Sequence, residues 1–346
     1  MLFEFENCLT IGNENSSSKY IYYFFVWLFF FTMKINFAPF KVIIGDTSGT
    51  IRVYSERFKL LNSLVAHSSW INRIIPLPNG LAATNSYDTL VKIWDSNWNL
   101  LLTYNGHTDI VAGLENIDSD IMASGSCDKT IQIWTISAGE KIRTINASLA
   151  VWSLKLLSNR NNLACGLDNG NINIYNINTG GLITILLGHT SWIMDFVLIS
   201  SRNLLASSSY NLDTTVRIWD LTTHTNKFIF SGHTSNVFGL KLISSDILAS
   251  GSEDMTVKLW NITDGTLIRT FSNHTGAIYW SVDMLNEQTV VSGSYDKTIK
   301  KWNYQTGQCM DTFDVGLEIR ALVIFNSTSG ILPIFLFLKI SNQVVY

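Results

Sequence analysis

The sequence is poor in proline, in charged residues and in cysteine, and each shortage narrows what the protein can be. Only four of its 346 residues are proline, so its turns must rely on aspartate, asparagine, serine and glycine. Charged residues make up 15% of the chain, the net charge is -3, and no run of lysine or arginine occurs. A protein without clustered basic residues does not bind nucleic-acid phosphates well, so we expect no nucleic-acid partner.

The cysteines argue against a secreted disulfide scaffold, because no CxxC pair occurs among Cys8, Cys127, Cys165 and Cys309. They are typical of reduced thiols in an intracellular protein, and we expect a cytoplasmic location. The chain also has no phosphate-binding glycine loop, no HExxH motif, no Cys/His metal spacing and no EF-hand loop. The sequence therefore predicts no metal and no cofactor.

One long apolar run precedes the regular part of the chain, at residues 20–33. Its fourteen uncharged residues are fewer than the roughly 20 that a membrane-spanning helix needs. The three glutamates before it do not fit a signal peptide. Three interpretations of residues 1–34 stay open: an irregularity of the sequence or gene model, a buried strand, and a membrane anchor.

The rest of the chain consists of seven copies of one pattern, best developed in SGSCDKTIQIW at residues 124–134. Each copy contains four short segments of alternating apolar and polar residues, which predict β-strands rather than helices. Each copy ends in an aromatic residue, and successive copies are 40 to 44 residues apart. These aromatic residues are Tyr54, Trp94, Trp134, Tyr175, Trp219, Trp260 and Trp302. A repeat of this length is typical of propeller blades.

We therefore predict an all-β fold for residues 35–346: a seven-bladed β-propeller of four-stranded antiparallel blades. An eighth, degenerate blade is the alternative, because the tail after Trp302 has lost the turn motif of the other copies. Closure of such a ring usually combines strands from both ends of the chain. Residues 319–325 are therefore a candidate for the inner strand of the first blade.

Five copies share a histidine, a serine, an aspartate and a tryptophan at matching positions. A buried imidazole can bond a carboxylate with one nitrogen and a hydroxyl with the other, so we expect a structural hydrogen-bonded group in each. The five sets are His67, Ser86, Asp88 and Trp94; His107, Ser126, Asp128 and Trp134; His189, Ser209, Asp213 and Trp219; His233, Ser252, Asp254 and Trp260; and His274, Ser294, Asp296 and Trp302. Copies one and four lack the histidine, and we expect their blades to be the least stable.

A serine, a histidine and an aspartate together also suggest a hydrolytic triad. Catalytic groups occur once, in a unique cleft, whereas this group occurs five times at one register. We therefore predict that no residue is catalytic and that the protein is not an enzyme.

The pattern resembles the WD-repeat β-propeller family, whose repeats run from Gly-His to Trp-Asp. The resemblance covers roughly residues 40–315, and the literal Trp-Asp pair occurs at Trp94 and Trp219. It implies that each His, Ser, Asp and Trp set forms a tetrad. It also implies that two positions of each repeat emerge around the central pore on one face, called the pore face below, where family members often bind peptides. One position is five residues after the histidine, and the other directly precedes the turn aspartate.

Carried over to this sequence, these positions and two neighbouring tryptophans are the predicted peptide-binding residues. They are Trp70, Asn72, Tyr87, Trp152, Asp168, Trp192, Met194, Phe238, Glu253, Tyr279 and Tyr295, with the small residues Ala112 and Cys127 at the same register and Leu212 left open by an insertion. Aromatic residues flanked by carboxylates favour a basic or aromatic peptide anchor. No arginine occurs at these positions.

The sequence thus favours a non-catalytic scaffold that binds peptide segments of other proteins on its pore face. The fold alone does not fix this function, and the aromatic positions carry the argument. Alternatives are a substrate-recognition subunit of a ubiquitin ligase complex and a propeller tethered to a membrane through residues 20–33. We expect a propeller that is monomeric within a larger complex, without a membrane partner unless that run is an anchor.

Overall fold

The computed structural model describes residues 40–326, which form 28 β-strands and two short 3-10 helices, Pro78–Gly80 and Ser200–Arg202. The strands make seven antiparallel sheets of four strands each, which are the blades of a propeller. The predicted all-β, seven-bladed fold is confirmed, and the described residues contain no eighth sheet. The N-terminal segment of residues 1–34, its boundary and residues 330–346 lie outside the described residues.

The blades are numbered 1 to 7 in chain order, and in each the strand nearest the pore is named first. Blades 1 to 3 consist of β28 (Ile319–Asn326), β1 (Phe40–Asp46), β2 (Thr50–Ser55) and β3 (Leu60–Val65); β4 (Ile71–Pro76), β5 (Ala82–Ser86), β6 (Val91–Trp94) and β7 (Leu100–Tyr104); and β8 (Val111–Asn116), β9 (Ile121–Ser126), β10 (Thr130–Thr135) and β11 (Lys141–Asn146). Blades 4 and 5 consist of β12 (Val151–Leu156), β13 (Asn162–Leu167), β14 (Ile172–Asn176) and β15 (Leu182–Leu186); and β16 (Ile193–Ile199), β17 (Leu204–Ser209), β18 (Val216–Asp220) and β19 (Thr225–Phe230). Blades 6 and 7 consist of β20 (Val237–Leu242), β21 (Ile247–Ser252), β22 (Val257–Asn261) and β23 (Leu267–Phe271); and β24 (Val282–Asn286), β25 (Thr289–Gly293), β26 (Thr298–Asn303) and β27 (Cys309–Asp314).

Blade 1 closes the ring with strands from the two ends of the described chain. Its inner strand, β28, pairs antiparallel with β1 and places Leu322 opposite Ile44 and Ile324 opposite Val42. The prediction that residues 319–325 supply this strand is confirmed. Blade 1 thereby has four strands like the other blades, and β1 is paired on both sides.

The outermost strand of a blade is far more exposed than the three strands inside it. In blade 6, five of the six residues of β21 are buried, whereas only one of the five residues of β23 is buried. The inner strands lie between two neighbouring blades, so they combine apolar residues with small ones that permit close approach. Gly251 in β21 is one of these: a methyl group there would meet the side chain of Ile278 in the next blade at 2.7 Å.

The hydrophobic core lies between the blades. Trp260 of blade 6 packs with Ile218 and Phe230 of blade 5, and its ring stacks on Phe230 at a centroid distance of 5.2 Å. Tyr104 and Trp134 repeat this stacking between blades 2 and 3, at 4.5 Å. Burial of one such tryptophan contributes on the order of 2 to 3 kcal/mol. In the five blades that have it, the repeat tryptophan therefore packs against the preceding blade.

Candidate functional site

Five blades contain the same buried network of histidine, aspartate, tryptophan and a hydroxyl. In blade 6 the Nδ1 atom of His233 lies 2.7 Å from Asp254, and its Nε2 atom lies 2.7 Å from Oγ of Ser250. The indole Nε1 of Trp260 donates to the same Oγ at 2.8 Å. Matching bonds occur in blades 2, 3, 5 and 7, around His67, His107, His189 and His274.

The hydroxyl of this network is not the predicted serine. It belongs to a residue two positions deeper in the same strand: Thr84, Ser124, Ser207, Ser250 and Ser292. Because the two ring nitrogens of an imidazole face opposite ways, a histidine bonded to the turn aspartate reaches a hydroxyl farther down the strand. Two residues of a strand span about 6.7 Å and return the side chain to the same face.

The predicted serines instead stabilise the turn by bonding backbone groups. Ser126 donates to the carbonyl of Asp109 at 2.9 Å and accepts the backbone N–H of Asp128 at 3.0 Å. The other four, Ser86, Ser209, Ser252 and Ser294, likewise donate to backbone carbonyls of the loop before the inner strand. The prediction of these five serines as tetrad members is wrong.

Burial and hydrogen bonding together set the protonation of the tetrads. Burial lowers the pKa of His107, His189 and His233 below the ordinary value of 6.5, although the neighbouring carboxylates oppose the shift. Burial raises the pKa of Asp213 and Asp254, but bonds from the histidine, a threonine hydroxyl and a backbone N–H outweigh it, so that the pKa lies below the ordinary 3.8. The tetrads of His107, His189 and His233 are thus each a neutral imidazole bound to a carboxylate.

Blades 1 and 4 replace this network with local turn contacts. In blade 1 the carboxylate of Asp46 accepts the backbone N–H groups of Ser48 and Thr50 at 2.8 and 2.9 Å. In blade 4 the hydroxyl position of the strand holds Cys165, which is fully buried, and burial raises the pKa of its thiol. Neither blade has a side-chain bond from its turn to a histidine of the preceding loop.

The first set of predicted pore residues fills the pore rather than lining an open hole. Trp152, Met194 and Phe238 are at most 7% exposed and form one cluster with Ala112. Asn72 is also buried, and its side-chain amide donates to the carbonyl of Val111 at 3.1 Å. The expectation that this set emerges at the surface is therefore wrong for Asn72, Trp152, Met194 and Phe238. Inner strands converge near the axis, and large side chains there meet one another.

The second set lies above this cluster and is partly exposed. Tyr87, Asp168, Glu253 and Tyr295 are half-buried, as are the neighbouring Trp192 and Tyr279, the one large residue of the first set that stays partly exposed. The carboxylate of Glu253 accepts bonds from Ser235 and Asn236 at 2.9 and 2.6 Å. Trp70 is 42% exposed and stands against Tyr87, with ring centroids 5.3 Å apart.

The insertion in blade 5 displaces Leu212 from the pore-face position. Tyr210 donates its backbone N–H to the carbonyl of Trp192, as Tyr87 does to Trp70 and Cys127 to Ile110. Tyr210 therefore holds the pore-face register of blade 5. Leu212 lies in the inserted bulge and is 94% exposed. The residue directly before Asp213 was the wrong choice, because the bulge adds two residues between the pore-face position, Tyr210, and the aspartate.

Six aromatic residues, four of them partly exposed at the pore face and Trp152 and Phe238 buried beneath it, form a continuous row that we call the aromatic arc. Trp152 stacks on Trp192 at 4.5 Å and Trp192 on Tyr210 at 5.0 Å. The row continues through Phe238 and Tyr279 and ends at Tyr295, with centroid distances of 5.7, 4.4 and 4.4 Å. The arc thus crosses blades 4 to 7 and joins pore residues that the sequence predicted separately.

The far end of the arc meets an arginine that sequence reasoning missed. Arg320 of β28 is 3% exposed, and its guanidinium lies 4.5 to 5.3 Å from the ring centroids of Trp70, Tyr87, Tyr279 and Trp280. A signal was present, because Arg320 follows Ile319 just as Trp152 follows Val151 and Phe238 follows Val237. The pore register simply continues into the closing strand.

Below the arc, the other mouth of the channel is lined by paired charges. A cavity of about 250 Å³ lies there, bordered by Arg73, Glu115, Lys155, Asp195, Lys241 and Asp283. Three ion pairs join these residues: Arg73 with Asp195 at 2.7 Å, Lys155 with Glu115 at 2.7 Å, and Lys241 with Asp283 at 2.5 Å. The charges of this mouth therefore cancel.

A family model described as "WD domain, G-beta repeat" matches residues 58–95, 98–135, 180–220, 224–261 and 265–303. The chain belongs to the WD-repeat family. The predicted resemblance is thereby confirmed. The two unmatched repeats end at Tyr54 and Tyr175, in the blades without a tetrad histidine.

Curated relatives share WD-repeat sequence over about half of this chain. Protein SPA1-RELATED 3 from Arabidopsis thaliana is 28% identical over 49% of this chain and 21% of its own length. A ribosome biogenesis protein WDR12 homolog from Nematostella vectensis is 29% identical over 51% of this chain and 43% of its own length. E3 ubiquitin-protein ligase COP1 from Arabidopsis thaliana is 27% identical over 49% and 26%. The matched part spans less than half of each relative.

Among solved structures, the computationally designed Ika8 protein resembles almost the whole WD-repeat propeller. It has a TM-score of 0.63 and 27% identity over 83% of this chain and 90% of its own. In residues 40–326 no helix is long and apolar enough to cross a membrane. Within the same range, His, Cys, Asp and Glu side chains form no group of three or more that could hold a metal ion.

Proposed function

We propose that this WD-repeat propeller is a non-catalytic scaffold that binds a peptide segment of another protein across its pore face. The aromatic arc is the observation that supports this most. Tryptophan and tyrosine offer large, rigid contact area at small cost in side-chain entropy, which makes them the usual centres of protein interfaces. Here they form one row beside the partly exposed Trp70.

The tetrads support a role without catalysis. The hydroxyl that meets the imidazole is shared with an indole N–H, and in the five blades it is completely buried. A nucleophile needs access to a substrate carbonyl, which such an atom lacks. The same bonds are what a structural tie requires.

The decisive experiment compares captured proteins between the wild type and a Trp70→Ala/Trp192→Ala/Tyr210→Ala variant. These three residues are partly exposed on the pore face. Trp192 and Tyr210 also pack on the buried cluster, but Trp152, Met194 and Phe238 themselves are kept. We expect specific partners to be lost from this variant, each truncated aromatic weakening binding by about 1 to 3 kcal/mol. Bound proteins are identified by mass spectrometry, after a thermal melt shows that the variant is folded.

The matched control removes exposed apolar area elsewhere. Ile183 and Leu187, near the outer edge of blade 4, are 47% and 68% exposed. An Ile183→Ala/Leu187→Ala variant retains every pore-face partner under this proposal. Partners lost from the control and kept by the pore-face variant would instead place binding on the blade edge.

A second candidate function is substrate recognition in a ubiquitin ligase complex. It is supported by the similarity to COP1, which is named as an E3 ubiquitin-protein ligase. The same capture experiment separates the two proposals. Ligase subunits retained by the pore-face variant, together with substrates lost from it, would assign the adaptor role.

A further inference from the structure

Arg320 is a buried cation without a carboxylate partner in the part of the chain that the structure describes. Its NH1 atom donates to the hydroxyl oxygen of Tyr295 at 3.1 Å, and its NH2 atom donates to the hydroxyl of Tyr87 at 3.2 Å. A third donation, to Oδ1 of Asn72, is long at 3.4 Å. All three acceptors are neutral.

The arginine at the other mouth of the channel shows the contrast. Arg73 donates to the carboxylate of Asp195 at 2.7 Å and to the carbonyl of Met194 at 2.6 Å. Its charge is therefore compensated within the protein. Four aromatic rings stabilise the charge of Arg320, but cation–π contacts leave the net charge in place. A desolvated cation of this kind strongly favours an anion beside it.

The hydroxyls of Tyr87 and Tyr295 link the charge of Arg320 to the pore face. Each oxygen accepts an N–H from Arg320, so its own proton must be directed away from the guanidinium. Neither proton has an acceptor among the described residues, and both tyrosines are partly exposed. A cation behind a hydroxyl polarises it and strengthens it as a donor.

Resting on the proposed function, we infer that Tyr87 and Tyr295, backed by Arg320, form an anion subsite for the carboxylate of a glutamate or aspartate in the bound peptide. A carboxylate has two oxygens for the two hydroxyl donors and one negative charge for the one guanidinium. Phosphate carries more charge and usually meets several arginines. The basic peptide anchor expected from the sequence is disfavoured, because Arg320 already lies against the four aromatic rings that would hold it.

The first step of the test is an unbiased selection of phage-displayed random peptides on the immobilised full-length chain. Peptides that bind the wild type but not the Trp70→Ala/Trp192→Ala/Tyr210→Ala variant define the pore-face set. We expect aspartate or glutamate to be enriched at one fixed position of this set. The chain needs no known partner for this measurement.

The second step measures one selected peptide by fluorescence anisotropy, with its acidic residue as glutamate or as glutamine. A Tyr87→Phe/Tyr295→Phe variant keeps both rings over Arg320 and removes only the two hydroxyls. It should bind the glutamate peptide at least about tenfold more weakly and the glutamine peptide nearly unchanged. Tyr210→Phe is the matched control, since Tyr210 belongs to the arc but does not bond Arg320, and it should keep the preference for glutamate.

The outcomes separate the subsite from the proposed function. Pore-face peptides without an acidic position, or an equal effect of the double variant on both peptides, would overturn the anion subsite and leave the scaffold function standing. A selection that returns no pore-face peptides would overturn both. A phosphoserine peptide that binds at least about tenfold tighter than the glutamate peptide would replace the carboxylate with phosphate as the ligand.

Discussion

In each tetrad one hydroxyl oxygen bonds both the histidine and the tryptophan. The histidine lies in the loop before the first strand of the blade, and the tryptophan lies in the third strand. We predict that Ser250→Ala lowers the free energy of unfolding by about 2 to 4 kcal/mol, because it leaves His233 Nε2 and Trp260 Nε1 both buried and unpaired. Ser252→Ala, two residues away in the same strand, should cost only about 1 kcal/mol because it loses turn bonds. Urea unfolding of the two variants measures the difference. Equal losses would mean that the tetrad hydroxyl has no special weight.

The protonation of the tetrads predicts acid sensitivity. The unfolded chain binds protons on histidine below pH 6.5, whereas folding holds the pKa of His107, His189 and His233 lower. The free energy of unfolding should therefore fall as the pH drops below this value. It should fall again below the ordinary carboxyl pKa of 3.8, because the folded Asp213 and Asp254 resist protonation.

Urea midpoints at about pH 7.5 and about pH 5 test the first part of this pH dependence. A His224→Gln variant is the control, since His224 is exposed in the turn between β18 and β19. Its midpoints should follow those of the wild type. A wild-type midpoint that is equal at both pH values would contradict the neutral state of the buried imidazoles.

At the scale of elements, blades 1 and 4 are held together by packing and local hydrogen bonds, whereas the other five blades also have a tetrad. We predict that amide hydrogens of β13 and β14 exchange faster than those of β21 and β22, which occupy the same positions in blade 6. Mass spectrometry of deuterated peptides makes the comparison within one molecule. Blade 4 retains a close contact that opposes this: the turn glycine, Gly170, has a φ of +86°, and a methyl group there would meet the carbonyl of His189 at 2.4 Å. Equal exchange would show that such backbone packing replaces the tetrad fully.

The sequence predicted elements better than contacts. Seven copies with strand-like alternation are enough to specify seven blades and the origin of the closing strand, because repeat length and turn chemistry are local properties. Ser124 and Ser126 lie on the same face of β9, so strand alternation does not distinguish them. Which of the two bonds the imidazole depends on how far the histidine side chain reaches along the strand. Likewise, Arg320 bonds Tyr295 and Tyr87 of the two adjacent blades, which lie 25 and 233 residues away along the chain. Arg320 therefore escaped notice although its register was visible.

At the scale of the whole molecule, one strand closes the ring. A chain that ends after Leu317 loses β28 and leaves β1 without its inner neighbour. Four apolar side chains of β28, Ile319, Ala321, Leu322 and Val323, are at most 8% exposed, so their loss should cost on the order of 5 kcal/mol or more. This approaches the total stability of a typical domain. We predict a lower thermal midpoint and a broader, less cooperative transition by circular dichroism.

A chain that ends after Asn326 is the control for this truncation, because it retains β28 and its pairing with β1. It should melt at least about 10 °C above the shorter chain. Identical melting curves for the two chains would show that the ring does not depend on closure by β28.

The order in which the strands are synthesised gives β28 a further consequence. A ribosome makes β1 to β3 first and their innermost neighbour last, so blade 1 stays incomplete until the end of β28 has emerged. Arg320 belongs to that last strand and is the cation of the proposed anion subsite. Nascent and prematurely terminated chains therefore lack the closure and the subsite together. Partner loading through this subsite would be restricted to molecules in which β28 has been made, and a bound peptide would in turn hold β28 in place.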